Sequence, residues 1–253
     1  MPSPQSPSEP ARQSRPAHRY ADFYAVNRGG GLFSEAVSQR LGALIALGGA
    51  RARLTPRALT LVNLLLGLAT SVTVVALAGA VAAGRSPAWP VGLAALLGWQ
   101  AAYAFDCADG QLARVTGRSS PRGARLDILC DVAAQIALVT ALAATAAAQR
   151  PDTPGWLLAA FAGTWMVNLV TSVLASGPQA ESLVTSTAPA ARAVKLVRDY
   201  GAVVALAGVV LTVAPAATVW VVTAFTLVNG GFLLASIAAA TRPTPGTPAA
   251  PRP

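Results

Sequence analysis

The sequence predicts an all-α integral membrane protein, with six transmembrane helices preceded by an amphipathic juxtamembrane helix. Three observations lead there. The 253-residue chain is 54% hydrophobic and only 11% charged, with a mean hydropathy of +0.52, whereas soluble domains are roughly one-quarter charged. Six apolar runs approach or exceed the length that crosses a hydrocarbon core of about 30 Å. Of the 19 Lys and Arg, only Arg85 and Arg150 fall in loops that six alternating spans assign to the outer side, as the positive-inside bias requires.

Residues 1–19 are rich in Pro, Ser and Arg, and too poor in apolar side chains to offset the entropy of ordering them. They read as a disordered tail, and the only histidine, His18, falls inside it, away from any catalytic or metal-binding role. No secretory leader precedes the apolar runs, so the N-terminus is expected in the cytoplasm. Residues 20–57 form a juxtamembrane region. In "GLFSEAVSQRLGALIAL", Leu32, Phe33, Ala36, Val37, Leu41 and Leu44 recur near helical spacing, with Ser34, Glu35, Gln39 and Arg40 on other faces. The pattern fits an amphipathic helix on the cytoplasmic membrane surface, and packing of that stripe on other helices is compatible with it. Pro56 then occupies a helix-starting position.

The six-helix domain is expected over residues 58–240. Its spans read as Ala58 to Ala78, Pro90 to Phe105, Leu126 to Ala147, Gly155 to Leu174, Asp199 to Ala214 and Ala217 to Ala240. Between the second and third, "VTGRSSPRG" (Val115 to Gly123) combines Gly, Ser and Pro and breaks the helical pattern as a short basic cytoplasmic loop. Residues 241–253 read as a second disordered tail. No internal repeat is present.

A formal charge of +9 would suit nucleic acid, but its placement in alternate loops makes it a set of topology signals and membrane-surface contacts. No nucleic-acid partner is expected. Eighteen Arg against one Lys, with abundant Ala, Gly and Pro, suggests a GC-rich bacterial source. Cys107 and Cys130 lie on the reducing side, where a disulfide is not expected, and two lone thiols make no zinc site. They read as small core fillers.

Four of the ten acidic residues fall between Asp106 and Asp131, beside apolar runs where carboxylates are costly. On a helix, Asp106, Asp109, Gly110 and Ala113 stand at i, i+3, i+4 and i+7, so two carboxylates share an otherwise small face. Beyond the loop, Gly123, Asp127 and Asp131 repeat at i, i+4 and i+8. Two antiparallel helices can therefore present paired carboxylates to each other. Such a quartet cannot stay ionised unaided, and it needs shared protons or cations. All-oxygen ligation suits Mg²⁺, Mn²⁺ or Ca²⁺ and not zinc. Two such ions would neutralise four carboxylates and offer positive charge to a phosphate. Gly110 and Gly123 leave room for a ligand at the backbone, and Arg114 can offer a fork of donors to phosphate oxygens. The parts fit phosphoryl transfer on an anionic, phosphate-bearing lipid.

Asp106, two residues, Asp109-Gly110, two residues, Ala113-Arg114, eight residues, Gly123, three residues, Asp127, three residues and Asp131 resembles the complete signature of the CDP-alcohol phosphotransferase family, in every fixed position and every spacing. The six-span layout and the surface helix are also similar to that family. The resemblance implies Mg²⁺-dependent transfer of a phosphatidyl or related group from a CDP-linked donor, usually CDP-diacylglycerol in bacteria, to an alcohol, with release of CMP. It implies that Asp106, Asp109 and Asp127 ligate a metal pair, Mg²⁺ or Mn²⁺. Asp131 would contact the pair and act as general base on the acceptor hydroxyl. Gly110, Ala113 and Gly123 would border the cytidine nucleotide, and Arg114 would hold its phosphates. A homodimer in the cell membrane, with its site open to the cytoplasm, is the family expectation. Arg57 departs from the pattern, since many relatives carry Asn after Thr-Pro near the first span.

For the acceptor, Arg192, Lys195 and Arg198 at i, i+3 and i+6 make a partly aligned basic stripe, which in similar proteins with phosphorylated acceptors binds the acceptor phosphate. Ordinary positive-inside charge explains the same residues equally well. A phosphate-binding stripe would favour glycerol 3-phosphate or inositol phosphate over serine, phosphatidylglycerol or another alcohol. Asn63, Asn168 and Asn229 read as interhelical hydrogen-bond partners. The competing class, an ion-coupled transporter, would place its charges near mid-membrane on broken helices, whereas Asp106 and Asp109 fall at a span's cytoplasmic end. An idle scaffold would leave four carboxylates without a purpose.

Overall fold

The computed structural model describes residues 18–27, 31–175 and 199–241, and every regular element among them is helical. In chain order these are α1 (Tyr20–Ala25), α2 (Gln39–Arg51), α3 (Pro56–Ala82), α4 (Ala88–Val115), α5 (Pro121–Gln149), α6 (Gly155–Ala175), α7 (Tyr200–Val213) and α8 (Thr218–Ala240). A π-helical turn, Ser34–Ser38, runs directly into α2. The short links between α3, α4, α5 and α6 make successive helices antiparallel neighbours.

The same local chemistry opens the two helices that matter most. At α3 the Thr55 hydroxyl accepts from the Ala58 N–H at 3.2 Å, and Pro56 takes the first helical position, where a missing N–H costs nothing. At α5 the Ser120 hydroxyl accepts from the Gly123 N–H at 3.1 Å, with Pro121 in the first position. Between α4 and α5 the chain turns through Gly117, whose φ of +66° favours glycine.

Four helical stretches, Pro56–Ala82, Ala88–Val115, Pro121–Gln149 and Pro215–Ala238, are long and apolar enough to cross a membrane. Among the described residues, two further apolar stretches are Gly155–Val167, within α6, and the shorter helix Tyr200–Val213. Leu61, Leu65 and Val72 on α3, Leu93 and Leu97 on α4, and Leu227, Leu234 and Ile237 on α8 point outward. Large apolar side chains exposed in such numbers belong in lipid, and the protein is membrane-embedded.

The second expected span, ending at Phe105, is too short. Helix α4 continues to Val115 because nothing before Gly117 stops it; the apolar run ends at Asp106, but the helix does not. Helix α5 likewise starts five residues before Leu126. Asp106 and Asp109 are therefore deep within one helix, and Asp127 and Asp131 within another.

Small residues set the packing. A Cβ on Gly208 of α7 would lie 2.5 Å from the Leu96 Cα of α4, and one on Gly92 of α4 would overlap the backbone of Leu211 and Thr212. One core cluster, with Trp99, Leu138, Phe161, Trp165, Val204 and Phe225, fills the bundle. A second, with Phe23, Ala43, Ala46, Leu59, Ala108 and Leu112, ties α1 and α2 to α3 and α4. His18 and Arg19, expected in the disordered tail, belong instead to the start of α1. The Arg19 N–H donates to the Asp22 carboxylate at 2.7 Å, and the His18 ring stands edge-on to buried Phe23, 5.8 Å between centroids.

Helix α2 and the π-helical turn before it turn a small, partly polar face inward and leave leucines of the apolar stripe outside. Ser34, Ser38, Gln39, Gly42, Ala43 and Ala46 are buried, whereas Leu32, Leu41 and Leu44 are exposed. A Cβ on Gly42 would come within 2.7 Å of the Cys107 Cβ, so only this small face lets α2 approach α4 so closely. Gln111, fully buried, donates to the Gln39 side-chain oxygen at 2.8 Å across that contact. Cys107 and Cys130 are free and buried.

Candidate active site

Asp106, Asp109 and Asp127 each offer a carboxylate oxygen, all within 4.8 Å of one another. Helical spacing aligns Asp106 with Asp109 on α4, and the adjoining α5 supplies Asp127. Asp131, one turn along α5, brings its carboxyl group to that of Asp106.

Helix α3 supports this cluster from behind. The Thr60 hydroxyl donates to the Asp109 carboxylate. Asn63, one turn on, donates through Nδ2 to Asp106 Oδ1 at 3.2 Å. Both are buried, at 4% exposure, and neither was expected at the site, although the reading of Asn63 as an interhelical partner describes its bond correctly. Thr60, Asn63, Gly67 and Ser71 form the buried stripe of α3, and that run of small and polar residues at helical spacing was the available signal. The side chain of Asn168 lies outside the described residues.

A divalent cation fits these residues. The donors are all carboxylate oxygens, the set that hard cations prefer. Asp127 Oδ1 is buried with no hydrogen-bond partner, which in a protein interior is costly for a carboxylate unless something else satisfies it.

Two cavities flank the carboxylates and divide them. The larger, about 770 Å³, is lined by Asp109 and Asp127 together with Gly110, Ala113, Gly123 and Arg114. Arg57 and Arg118 also border it. All residues expected to contact the nucleotide are thus gathered around one space. The Arg114 Nε donates to the Val26 carbonyl at 2.9 Å, anchoring the side chain. Its guanidinium lies over Gly110, where an added Cβ would come 2.9 Å from a terminal nitrogen. The room left by Gly110 is therefore occupied by Arg114 itself, and that left by Gly123 admits the Ser120 cap, whose hydroxyl would stand 3.1 Å from a Cβ there.

The smaller cavity, about 230 Å³, opens on the other pair, Asp106 and Asp131. Tyr103, Tyr200, Gln135 and Trp165 also line it. The Trp165 indole N–H donates to the Gln135 Oε1 at 3.1 Å, and the Tyr103 and Tyr200 rings meet edge-to-face with centroids 4.9 Å apart. No Lys or Arg lines it among the described residues. Arg192, Lys195 and Arg198 lie outside those residues.

The family model described as CDP-alcohol phosphatidyltransferase matches residues 53–237, well over half of the chain. No curated protein sequence matches.

Proposed function

The chain belongs to the CDP-alcohol phosphatidyltransferase family, and from that premise we propose that it moves a phosphatidyl group from CDP-diacylglycerol to an alcohol, releasing CMP, in phospholipid synthesis. The observation that carries this reading is the division of the four aspartates between two cavities, Asp109 and Asp127 on one and Asp106 and Asp131 on the other. Two spaces that each open on part of one carboxylate cluster suit a reaction between two substrates.

In this reading the nucleotide diphosphate occupies the larger cavity, with Arg114 and Arg57 supplying positive charge to its oxygens. Asp106, Asp109 and Asp127, with Asp131 beside them, would hold divalent cations, Mg²⁺ or Mn²⁺, two of them by the charge of four carboxylates. Bound cations would neutralise the diphosphate and stabilise departure of the CMP oxygen. Asp131 takes the proton of the acceptor hydroxyl in the smaller cavity. The hydroxyl oxygen then bonds to the lipid-side phosphorus as the phosphorus–oxygen bond to CMP breaks. Thr60 and Asn63 keep the Asp109 and Asp106 carboxylates oriented for ligation.

Helices α6 and α7 complete a six-span bundle, the aspartates face the cytoplasm, and Leu32, Leu41 and Leu44 of the surface helix enter the lipid interface. The enzyme works as a homodimer, a state common in its family. The acceptor is a phosphorylated polyol, glycerol 3-phosphate or inositol phosphate, its phosphate met by Arg192, Lys195 and Arg198. Those residues precede Tyr200, which lines the smaller cavity.

The test is CMP release from purified protein with CDP-diacylglycerol, Mg²⁺ and single acceptors. Release that stops with a chelator and returns with Mg²⁺ or Mn²⁺ is expected; no release with glycerol 3-phosphate, inositol phosphate, serine or phosphatidylglycerol would refute the reading. Arg192→Ala should raise the Michaelis constant for a phosphorylated acceptor and leave that for the donor unchanged; equal effects on both would remove the stripe from the acceptor site.

A further inference from the structure

Asp199 is 2% exposed, and its carboxylate joins two helix beginnings that lie far apart in sequence. Oδ2 accepts from the backbone N–H groups of Phe33 at 2.8 Å and Ser34 at 3.0 Å, at the start of the surface helix. Oδ1 accepts from the N–H groups of Gly201 at 3.1 Å and Ala202 at 3.4 Å, in the first turn of α7, and from the Ser34 hydroxyl. A helix cap needs to serve only its own first turn, a task Ser or Thr performs as well. Here one carboxylate serves two helices, and its negative charge suits the positive ends of both.

The surroundings are shaped to this contact. A Cβ at Gly31 would overlap the Asp199 carboxylate, and one at Gly201 would stand 2.9 Å from the Ser34 Oγ and 3.0 Å from the Ser38 Oγ. The junction also reaches the smaller cavity. The Ser34 hydroxyl gives its hydrogen to Asp199, so the Tyr103 hydroxyl, 3.1 Å from the Ser34 Oγ, must donate to Ser34. Tyr103 is three residues before Asp106 on the same face of α4, and it meets Tyr200, the residue after Asp199, edge-to-face. Gln100 adds a bond from its Nε2 to the Gly201 carbonyl at 2.8 Å.

We propose that Asp199 is a positioning residue for the acceptor: by tying the surface helix to α7, and acting through Ser34 on Tyr103, it sets the wall of the cavity that opens on Asp106 and Asp131. The proposal rests on the transferase reading for its kinetic consequence, but the junction itself can be measured without turnover.

Asp199→Asn keeps the side chain's size and one good acceptor oxygen, so it can satisfy one helix beginning but not both. Hydrogen–deuterium exchange on the full-length protein in detergent should show the Phe33 and Ser34 amides exchanging about tenfold faster or more. In the CMP-release assay the same variant should raise the Michaelis constant for the acceptor about tenfold, with that for the donor and the turnover number near wild type. Ser34→Ala, which leaves the cap of α7 untouched, should shift the same constant in the same direction. On a Tyr103→Phe background, Asp199→Asn should add little, because the path to the cavity is already cut. Unchanged exchange would overturn the proposal, and so would faster exchange with equal losses for donor and acceptor, or full additivity with Tyr103→Phe. A wild-type protein silent with every acceptor would instead remove the transferase reading, and the exchange comparison would still decide the junction.

Discussion

The two cavities divide one cluster of four carboxylates between them and have no lining residue in common. The larger is bordered by Arg57, Arg114 and Arg118 with Gly110 and Gly123, a basic surface with little side-chain bulk at the backbone. The smaller is walled by aromatic rings and by Asn63 and Gln135. A diphosphate carries charge that must be neutralised wherever it binds, so it belongs with the arginines. A hydroxyl about to lose a proton needs the opposite, a nearby carboxylate in a confined polar pocket. In the proposed reading the contrast separates binding from chemistry across one helical turn, between Asp127 and Asp131.

The largest expected effect breaks that separation at the chemical side. Asp131→Asn should lower turnover about 10³-fold or more, the range a general base supplies, while CDP binding in the presence of Mg²⁺, followed by calorimetry, largely survives. Near-normal turnover would mean that Asp131 is not the base, and loss of CDP binding would mean that the two cavities are not separable. On the binding side, Arg114→Ala should raise the donor Michaelis constant roughly 10- to 100-fold, as expected for a lost charge-assisted bond of about 1.5–3 kcal/mol. The acceptor constant should hold. Because Arg114 also anchors to the Val26 carbonyl, thermal unfolding of the variant in detergent distinguishes lost binding from lost folding.

The parts of this site that were legible in the sequence are those whose chemistry is rare in a membrane. Four aspartates beside apolar runs, with glycines at fixed spacing, stand out because each costs free energy unless used. What the sequence concealed is which apolar or small residue faces protein and which faces lipid. The outward Leu61 and Leu65 of α3 are more hydrophobic than the inward Thr60, Asn63 and Gly67, the reverse of a soluble helix, because lipid is as apolar as a core and close helix contact needs small residues. Helix α2 and the turn before it follow the same rule, burying Ser34, Ser38 and Gln39 while Leu41 and Leu44 stay outside. Asp199 was legible only as the edge of a span, since nothing local in the sequence announces a partner 165 residues away.

The smallest expected effects sharpen the comparison most, because they come from two residues of one helix, one turn apart, that hold different carboxylates and border different cavities. Thr60 bonds Asp109, which borders the larger cavity, and Asn63 bonds Asp106, which borders the smaller. Neither side chain is a ligand in the proposed mechanism; each fixes the rotamer of one, and losses of about 10-fold or a little more in metal affinity are usual for such partners. Interhelical hydrogen bonds in membranes contribute only about 0.6 kcal/mol on average, so neither change should unfold the bundle. Thr60→Val, nearly the same shape, should raise the Mg²⁺ concentration for half-maximal rate and weaken the donor. Asn63→Leu should raise that Mg²⁺ requirement by a similar factor but weaken the acceptor, because Asp106 stands between Asn63 and Asp131. If both variants changed donor and acceptor constants alike, the carboxylates would act as one undivided cluster, and the division into a binding pair and a chemical pair would fail.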